Sequence, residues 1–143
     1  MNDYLNVIRN NYANFSGRAR RCEYWMFTLI NTIISIVLYL LVALFALPSL
    51  LSGRDGGSST FTPLGILPLA LYTIYILAIV VPGLAVSARR LHDAGYSGWL
   101  YLIVLVPFIG SVVLLVLMIQ DSKPGDNKWG ANPKGLTEVR PAF

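Results

Sequence analysis

Charged residues are scarce in this 143-residue chain: they make up 13% of it, whereas soluble domains carry about 25%. Apolar residues make up 55%, and the mean hydropathy is +0.61. A soluble domain of this length needs a polar surface that so few charges cannot supply, and a disordered chain would be far less apolar. The composition therefore excludes both classes and favours a protein that folds in a lipid bilayer.

Side chains that form disulfides or bind metals are also few. Cys22 is the only cysteine and His92 the only histidine, so the sequence predicts no internal disulfide, no metal site and no cofactor. The net charge of +4 comes from basic residues that flank apolar runs. This pattern is typical of contact with anionic lipid headgroups, so we expect membrane lipids as partners and no nucleic acid.

Three long apolar runs contain no Asp, Glu, Lys or Arg: residues 24–47, 64–86 and 99–119. Each exceeds the ~18 residues typical of a transmembrane helix. The predicted fold is all-α, a small multi-pass membrane protein with three transmembrane helices in a single membrane domain over residues 1–143. Pro82 predicts a kink or break near the end of the second run, and Pro107 interrupts the third. The absence of charge inside the runs argues against proton-coupled transport and voltage sensing.

The segments outside the runs complete the predicted architecture. Five apolar residues recur at helical spacing near the N-terminus: Tyr4, Leu5, Ile8, Tyr12 and Phe15. They predict an amphipathic helix over residues 3–14 that lies in the headgroup layer, the alternative being a soluble helix that packs on something other than the membrane. Residues 48–60 form a Gly- and Ser-rich loop, and residues 120–143 form a polar tail rich in turn-forming residues.

The orientation follows from the distribution of Lys and Arg. Four precede the first run, one lies in the first loop, two lie in the second loop and four lie in the tail. With the N-terminus in the cytoplasm, three crossings place six basic residues inside and five outside, whereas a re-entrant hairpin that turns at 107–110 places ten inside and one outside. Because each arm of such a hairpin spans only half a bilayer, three full crossings are expected, and the side of the tail stays open.

Several motifs resemble one bacterial family. They are Phe15-Ser16-Gly17-Arg18-Ala19-Arg20-Arg21 with Glu23-Tyr24-Trp25, Arg89-Arg90-Leu91-His92-Asp93, Ser97-Gly98-Trp99, and Gly125-Asp126-Asn127-Lys128-Trp129-Gly130 before Asn132-Pro133. In this order they resemble the family known as domain of unknown function 805, the YhaH-type inner membrane proteins. Trp129 stands where that family usually has Tyr or Phe, and the first loop is longer than in its short members. The resemblance implies a small multi-pass inner membrane protein without an established activity.

Eight polar residues are predicted to lie together at the cytoplasmic interface: Arg18, Arg20, Arg21, Glu23, Arg89, Arg90, His92 and Asp93. Their arginines match the geometry of a lipid phosphate, whereas the alternative is that they only determine topology. Because an unpaired carboxylate is costly at the headgroup boundary, Glu23 is expected to pair with Arg89, Arg90 or His92. For the same reason Asp93 is expected to pair with an arginine of the Arg18 to Arg21 stretch.

A polar stripe follows one face of the first run, at i, i+3, i+4 and i+7: Thr28, Asn31, Thr32 and Ser35. Polar side chains in hydrocarbon face protein, so this stripe is predicted to pack on another helix, with the lining of a solute path as the alternative. We expect a non-enzymatic inner membrane component that interacts with lipids, with copies of itself or with other membrane proteins. The alternative is a homo-oligomeric channel or small-solute transporter subunit, and an enzyme that uses His92 and Asp93 ranks third.

Overall fold

The computed structural model describes residues 2–52 and 63–133, and this part of the chain is helical without a β-strand. The all-α prediction is therefore confirmed for these residues. Residues 48–52, which the sequence assigns to the first loop, belong to the helix that begins at Arg21. The rest of that predicted loop, residues 53–60, and the end of the predicted tail, residues 134–143, lie outside the described residues. The elements are α1 (Asn2–Leu5) with a π-helical turn (Asn6–Asn10), α2 (Arg21–Ser52), α3 (Pro63–Asp93), a 3₁₀ helix (Gly98–Leu105) and α4 (Ile109–Ile119).

The described residues form two compact units, where the sequence predicts one domain. The first contains those of Met1–Thr28 and Val81–Phe143, and the second those of Leu29–Val80. The first unit holds two small apolar cores. Val7 and Ala19 pack with Phe27 and Val86 in one core, and Leu91 packs with three residues of α4 in the other.

Two helices are long and apolar enough to cross a membrane, with candidate spans at Arg21–Phe45 and Ile66–Asp93. Only 11% and 17% of their most apolar windows are buried, whereas the core helix of a soluble protein is mostly buried. α3 continues without a break past Pro82 to Asp93, beyond the predicted end at residue 86. It stops there because Gly95 adopts a left-handed backbone (φ 92°), which lets the Tyr96 amide donate to the Leu91 carbonyl.

The third apolar run forms two short helical segments and not one continuous helix, so the predicted transmembrane helix over 99–119 is not confirmed. The 3₁₀ helix ends at Leu105, the chain turns at residues 106–108, and α4 begins at Ile109. Pro107 lacks the amide that would continue the helix, and Phe108 has a positive φ of 61°. The two segments therefore form a helical hairpin, and Arg90 near the end of α3 bonds the Met118 carbonyl at the end of α4.

The hairpin closes at Gly110, which is buried against the 3₁₀ helix. A β-carbon at this position would lie 1.8 Å from the Ile103 carbonyl oxygen, far inside van der Waals contact. A glycine is therefore required for the two arms to approach this closely.

The N-terminal helix ends at Asn10, four residues before the predicted end at residue 14. Val7 is fully buried, and the Tyr4 ring stacks on Phe27 with their centroids 5.9 Å apart. Tyr12 and Phe15, which the helical spacing assigns to the apolar face, lie beyond the helix and are exposed. The inner face of this helix thus packs on protein, as in the alternative interpretation, while its predicted position in the headgroup layer stays a prediction.

Candidate functional site

Asp93, at the end of α3, connects this helix to the segment before α2 and to the start of the tail. Its Oδ1 accepts a hydrogen bond from Arg18 Nε at 2.9 Å, and its Oδ2 accepts one from Arg90 Nη1 at 2.8 Å. Ser122 Oγ also donates to Oδ2 at 2.5 Å. The side chains of Arg18, Arg90 and Asp93 are at most 1% exposed. Two buried arginines therefore share one buried carboxylate, which leaves excess positive charge inside this unit.

A third buried ion pair joins the start of α2 to α3. Arg89 Nη1 donates to Glu23 Oε1 at 2.9 Å, and the two side chains are 4% and 11% exposed. The backbone supports this contact, because the Ala19 amide donates to the Arg89 carbonyl at 3.1 Å. The pairing predicted for Glu23 and for Asp93 is thus confirmed, with Arg89 and Arg18 as the partners.

Arg90 fastens the helical hairpin to α3. Its Nε and Nη2 donate to the Met118 carbonyl at 3.3 and 3.2 Å, and Nη2 also bonds the Gln120 carbonyl. The last carbonyls of a helix have no partner within the helix, and a cation near that terminus interacts favourably with the helix dipole. A residue that the sequence assigns to the membrane surface therefore caps α4 from a fully buried position.

The start of the tail belongs to this site, although the sequence pattern did not predict it there. Arg18 donates to the carbonyls of Gly125 and Lys123 at 2.8 and 2.7 Å, and the Lys123 amide donates to the Asp93 carbonyl at 2.9 Å. Asn127 Nδ2 donates to the His92 carbonyl at 2.9 Å. The sequence signal was the Gly125 to Gly130 motif, which supports the resemblance, but its charged residues Asp126 and Lys128 take no part in these contacts.

His92 lies between the tail and the segment before α2. Its ring stacks on Trp129 at 4.6 Å and 10°, and Nδ1 lies 3.3 Å from the Gly17 carbonyl. It borders a cavity of about 470 Å³ whose other described walls are mainly aromatic and aliphatic, with hydroxyls from Ser97 and Tyr101. Among the described residues, no carboxylate or cysteine lines this cavity, so it resembles an apolar pocket more than an acid–base centre.

The eight predicted site residues divide into a buried and an exposed group. Arg18, Arg90 and Asp93 are engaged within the protein, whereas Arg20 is exposed and Arg21 forms a solvent-exposed pair with Asp121 at 3.0 Å. We use the term basic rim for those cationic residues of this unit that the structure describes with exposed side chains: Arg9, Arg20, Arg21, Lys123 and Lys128. A headgroup would meet these side chains before it reached the buried pairs.

The polar stripe on α2 is only partly buried. Asn31 is 6% exposed, and its Oδ1 accepts a hydrogen bond from the Tyr75 hydroxyl at 2.7 Å, so it makes the predicted helix contact. Thr28 and Ser35 are half-buried, whereas Thr32 is exposed. One residue of the stripe therefore carries a defined interhelical hydrogen bond, and the role of the others stays a prediction.

Comparison with known proteins places the whole arrangement in one family. The model of the family "Protein of unknown function (DUF805)" matches residues 12–131. The inner membrane protein YhaH of Escherichia coli strain K12 is 41% identical over 134 residues, which cover 94% of this chain and 98% of YhaH. The inner membrane protein YhaI of the same strain is 41% identical over 131 residues, which cover 92% of this chain and 94% of YhaI. No solved structure matches the chain significantly. The extent of these matches shows that the chain belongs to the DUF805 family.

Proposed function

We propose that this chain is a non-enzymatic inner membrane protein that binds anionic lipid headgroups at the cytoplasmic surface. The observation that carries the proposal is the basic rim beside three buried ion pairs, Arg18–Asp93, Arg90–Asp93 and Arg89–Glu23. Arg18 and Asp93 hold the segment before α2 and the tail against the end of α3. Rim residues such as Arg20 and Lys128 are thereby presented from a fixed scaffold next to the ends of both candidate spans.

The proposed topology has two crossings, α2 and α3, with the N-terminus in the cytoplasm. The hairpin enters the membrane from the same side and returns to it, because its arms of 8 and 11 residues are each roughly 16 Å long, about half the ~30 Å hydrocarbon core. The tail is then cytoplasmic. This topology leaves one basic residue, Arg54, outside and ten inside, which agrees with the positive-inside rule better than three crossings do.

Contacts within the second unit favour this role over that of a channel subunit. The Asn31 side chain, the most polar group of the α2 stripe, is buried and accepts the Tyr75 hydroxyl. A side chain engaged in this way contributes to helix association and is not presented to a solute. If the stripe serves helix packing, it does not bind a solute. The basic rim is then the surface best suited to a ligand.

The test is lipid retention by the purified full-length protein. Native mass spectrometry would count molecules of phosphatidylglycerol and of phosphatidylcholine that stay bound after extraction in a mild detergent. We expect phosphatidylglycerol to be preferred, and Arg20→Gln or Lys128→Gln to weaken that preference about fivefold each, since one basic residue near an anionic surface contributes ~1 kcal/mol.

Arg54→Gln is the matched control, because it removes the same charge from the opposite side of the membrane in the proposed topology. We expect it to leave lipid retention unchanged. Equal retention of both lipids by the unmodified protein, or an equal effect of all three substitutions, would refute headgroup binding by the basic rim.

A further inference from the structure

A polar cavity of about 450 Å³ lies between the N-terminal segment, the start of α2 and the end of α3. Its walls include side chains of asparagine, arginine, aspartate and glutamate, among them Asn11, Asn14, Arg20, Glu23 and Arg89. All of these residues belong to the first unit. The volume falls within the range of about 300–1,000 Å³ that is typical of small-molecule sites.

Arg89 is the unusual member of this wall. The residue is 3% exposed, and of its three guanidinium nitrogens only Nη1 has a partner within the described part of the chain, Glu23 Oε1. Nε and Nη2 are buried and have no hydrogen-bond partner among residues 2–52 and 63–133. Buried donors without an acceptor are rare, because each retains the cost of its lost hydration. The unpaired groups therefore require an acceptor from outside the described residues.

The chemistry of that acceptor follows from which two nitrogens are unpaired. The N–H groups of Nε and Nη2 lie side by side on one edge of the guanidinium plane and point in parallel. This edge matches two oxygens of a single phosphate or carboxylate, the bidentate geometry for which arginine is best suited. A cation cannot satisfy two donors, so the neighbouring carboxylates of Glu23 and Asp3 do not make this a cation site.

We infer that Arg89 is an oxyanion-binding residue and that this cavity takes a phosphate group, either from a lipid headgroup or as free phosphate. Arg20 also lines the cavity and adds positive charge. The choice of phosphate over carboxylate rests on the proposed binding of lipid headgroups, whereas the need for an oxyanion rests on Arg89 alone. The proposal thus adds one buried, shape-selective contact to an otherwise exposed basic rim.

The experiment uses the full chain in a phosphate-free detergent at constant ionic strength. Thermal unfolding is followed during titration with inorganic phosphate, with dihexanoyl phosphatidic acid, and with dihexanoylglycerol, which is the same lipid without its phosphate. We expect phosphate, phosphatidic acid or both to raise the unfolding temperature, because a ligand that binds only the folded state stabilises it. Dihexanoylglycerol is expected to have no effect.

Arg89→Lys is the critical variant, since it keeps the positive charge beside Glu23 and removes the bidentate edge. We expect at least tenfold weaker binding, in line with the loss of one or more hydrogen bonds to a charged group. Arg54→Lys is the control, because it makes the same exchange at a residue that lies on the opposite side of the membrane in the proposed topology. It is expected to bind as the unmodified protein does.

Asn14→Asp provides a second variant should Arg89→Lys fail to fold. It adds a negative charge to the cavity wall at an exposed position and keeps the oxygen that accepts the Ser16 amide. We expect it to weaken binding of the phosphate group. If inorganic phosphate raises the unfolding temperature, the free ion is a ligand. If only phosphatidic acid raises it, the ligand is the lipid headgroup. Either result supports an oxyanion site.

Two results overturn the inference: no stabilisation by either phosphate compound, or equal binding by the unmodified protein and a folded variant at Arg89 or Asn14. These results are separate from a failure of the proposed function. If Arg89→Lys left phosphate binding unchanged, the inference about the cavity would fail. The proposed function would still be supported if changing Arg20 or Lys128 weakened the preference for phosphatidylglycerol.

Discussion

Arg18 and Asp93 lie 75 positions apart in the chain and form an ion pair of 2.9 Å in which both side chains are almost completely buried. The pair connects the segment before α2 to the end of α3, and Arg18 also donates to the carbonyls of Lys123 and Gly125 in the tail. The guanidinium of Arg18 thus holds three distant segments of the chain together. It can do so because its donors diverge within one rigid plane.

Substitution of Asp93 by Asn is expected to destabilise the protein strongly. The change leaves Arg18 and Arg90 buried without their carboxylate, and breaking a buried ion pair in this way costs about 3–5 kcal/mol. The measurement is the free energy of unfolding in a denaturant titration of the detergent-solubilised protein. Asp126→Asn, at an exposed position of the tail, is the control and is expected to change this energy by less than about 0.5 kcal/mol. Similar values for the two variants would contradict the central role of Asp93.

Substitution of Asn31 by Leu tests the contact between α2 and α3. The change removes the acceptor of the Tyr75 hydroxyl, and we expect a loss of about 0.6–2 kcal/mol of stability, typical of polar contacts between membrane helices. Thr32→Leu is the matched control because Thr32 is exposed on the same helix. A double-mutant cycle with Tyr75→Phe isolates the pair, and additive effects in that cycle would show that the hydrogen bond contributes nothing.

Substitution of Gly110 by Ala tests the helical hairpin. The new methyl group would meet the Ile103 carbonyl, so the arms must separate, and we expect a loss of about 3 kcal/mol, the upper part of the usual range for overpacking. Gly83→Ala is the control, because its methyl group would lie 3.8 Å from the Phe27 ring in ordinary contact. Within a helix that change is neutral or favourable. Equal stability of the two variants would refute the close approach at Gly110.

Cysteine labelling tests the proposed topology. In a Cys22→Ser background, single cysteines are introduced by Ser16→Cys, Ser58→Cys and Lys128→Cys, and intact cells are treated with a thiol reagent that does not cross the inner membrane. We expect labelling at position 58 alone, because the re-entrant hairpin keeps the tail on the side of the N-terminus. Labelling at position 128 would instead require a third full crossing.

The sequence alone determined the helical class, two candidate membrane spans and a short set of possible partners for each buried carboxylate. These features depend on local quantities: runs of apolar residues without charge, and charges that flank those runs at equal depth. The prediction for Glu23 and Asp93 succeeded because a short connection between two apolar runs favours antiparallel neighbours. The start of the first run, at Glu23, is then expected beside the end of the second, at Asp93. Their opposite charges then offered the cheapest compensation for partial burial.

Only the tertiary structure decided the path of the third run and the position of the tail. Hydropathy gives the same value for one helix of 21 residues as for two short arms, so it cannot distinguish them. The outcome depends on the positive φ of Phe108, on the close contact at Gly110 and on the cap that Arg90 supplies to α4 from another helix. The unpaired edge of Arg89 was equally hidden in the sequence, because whether a buried donor finds an acceptor depends on residues far away in the chain.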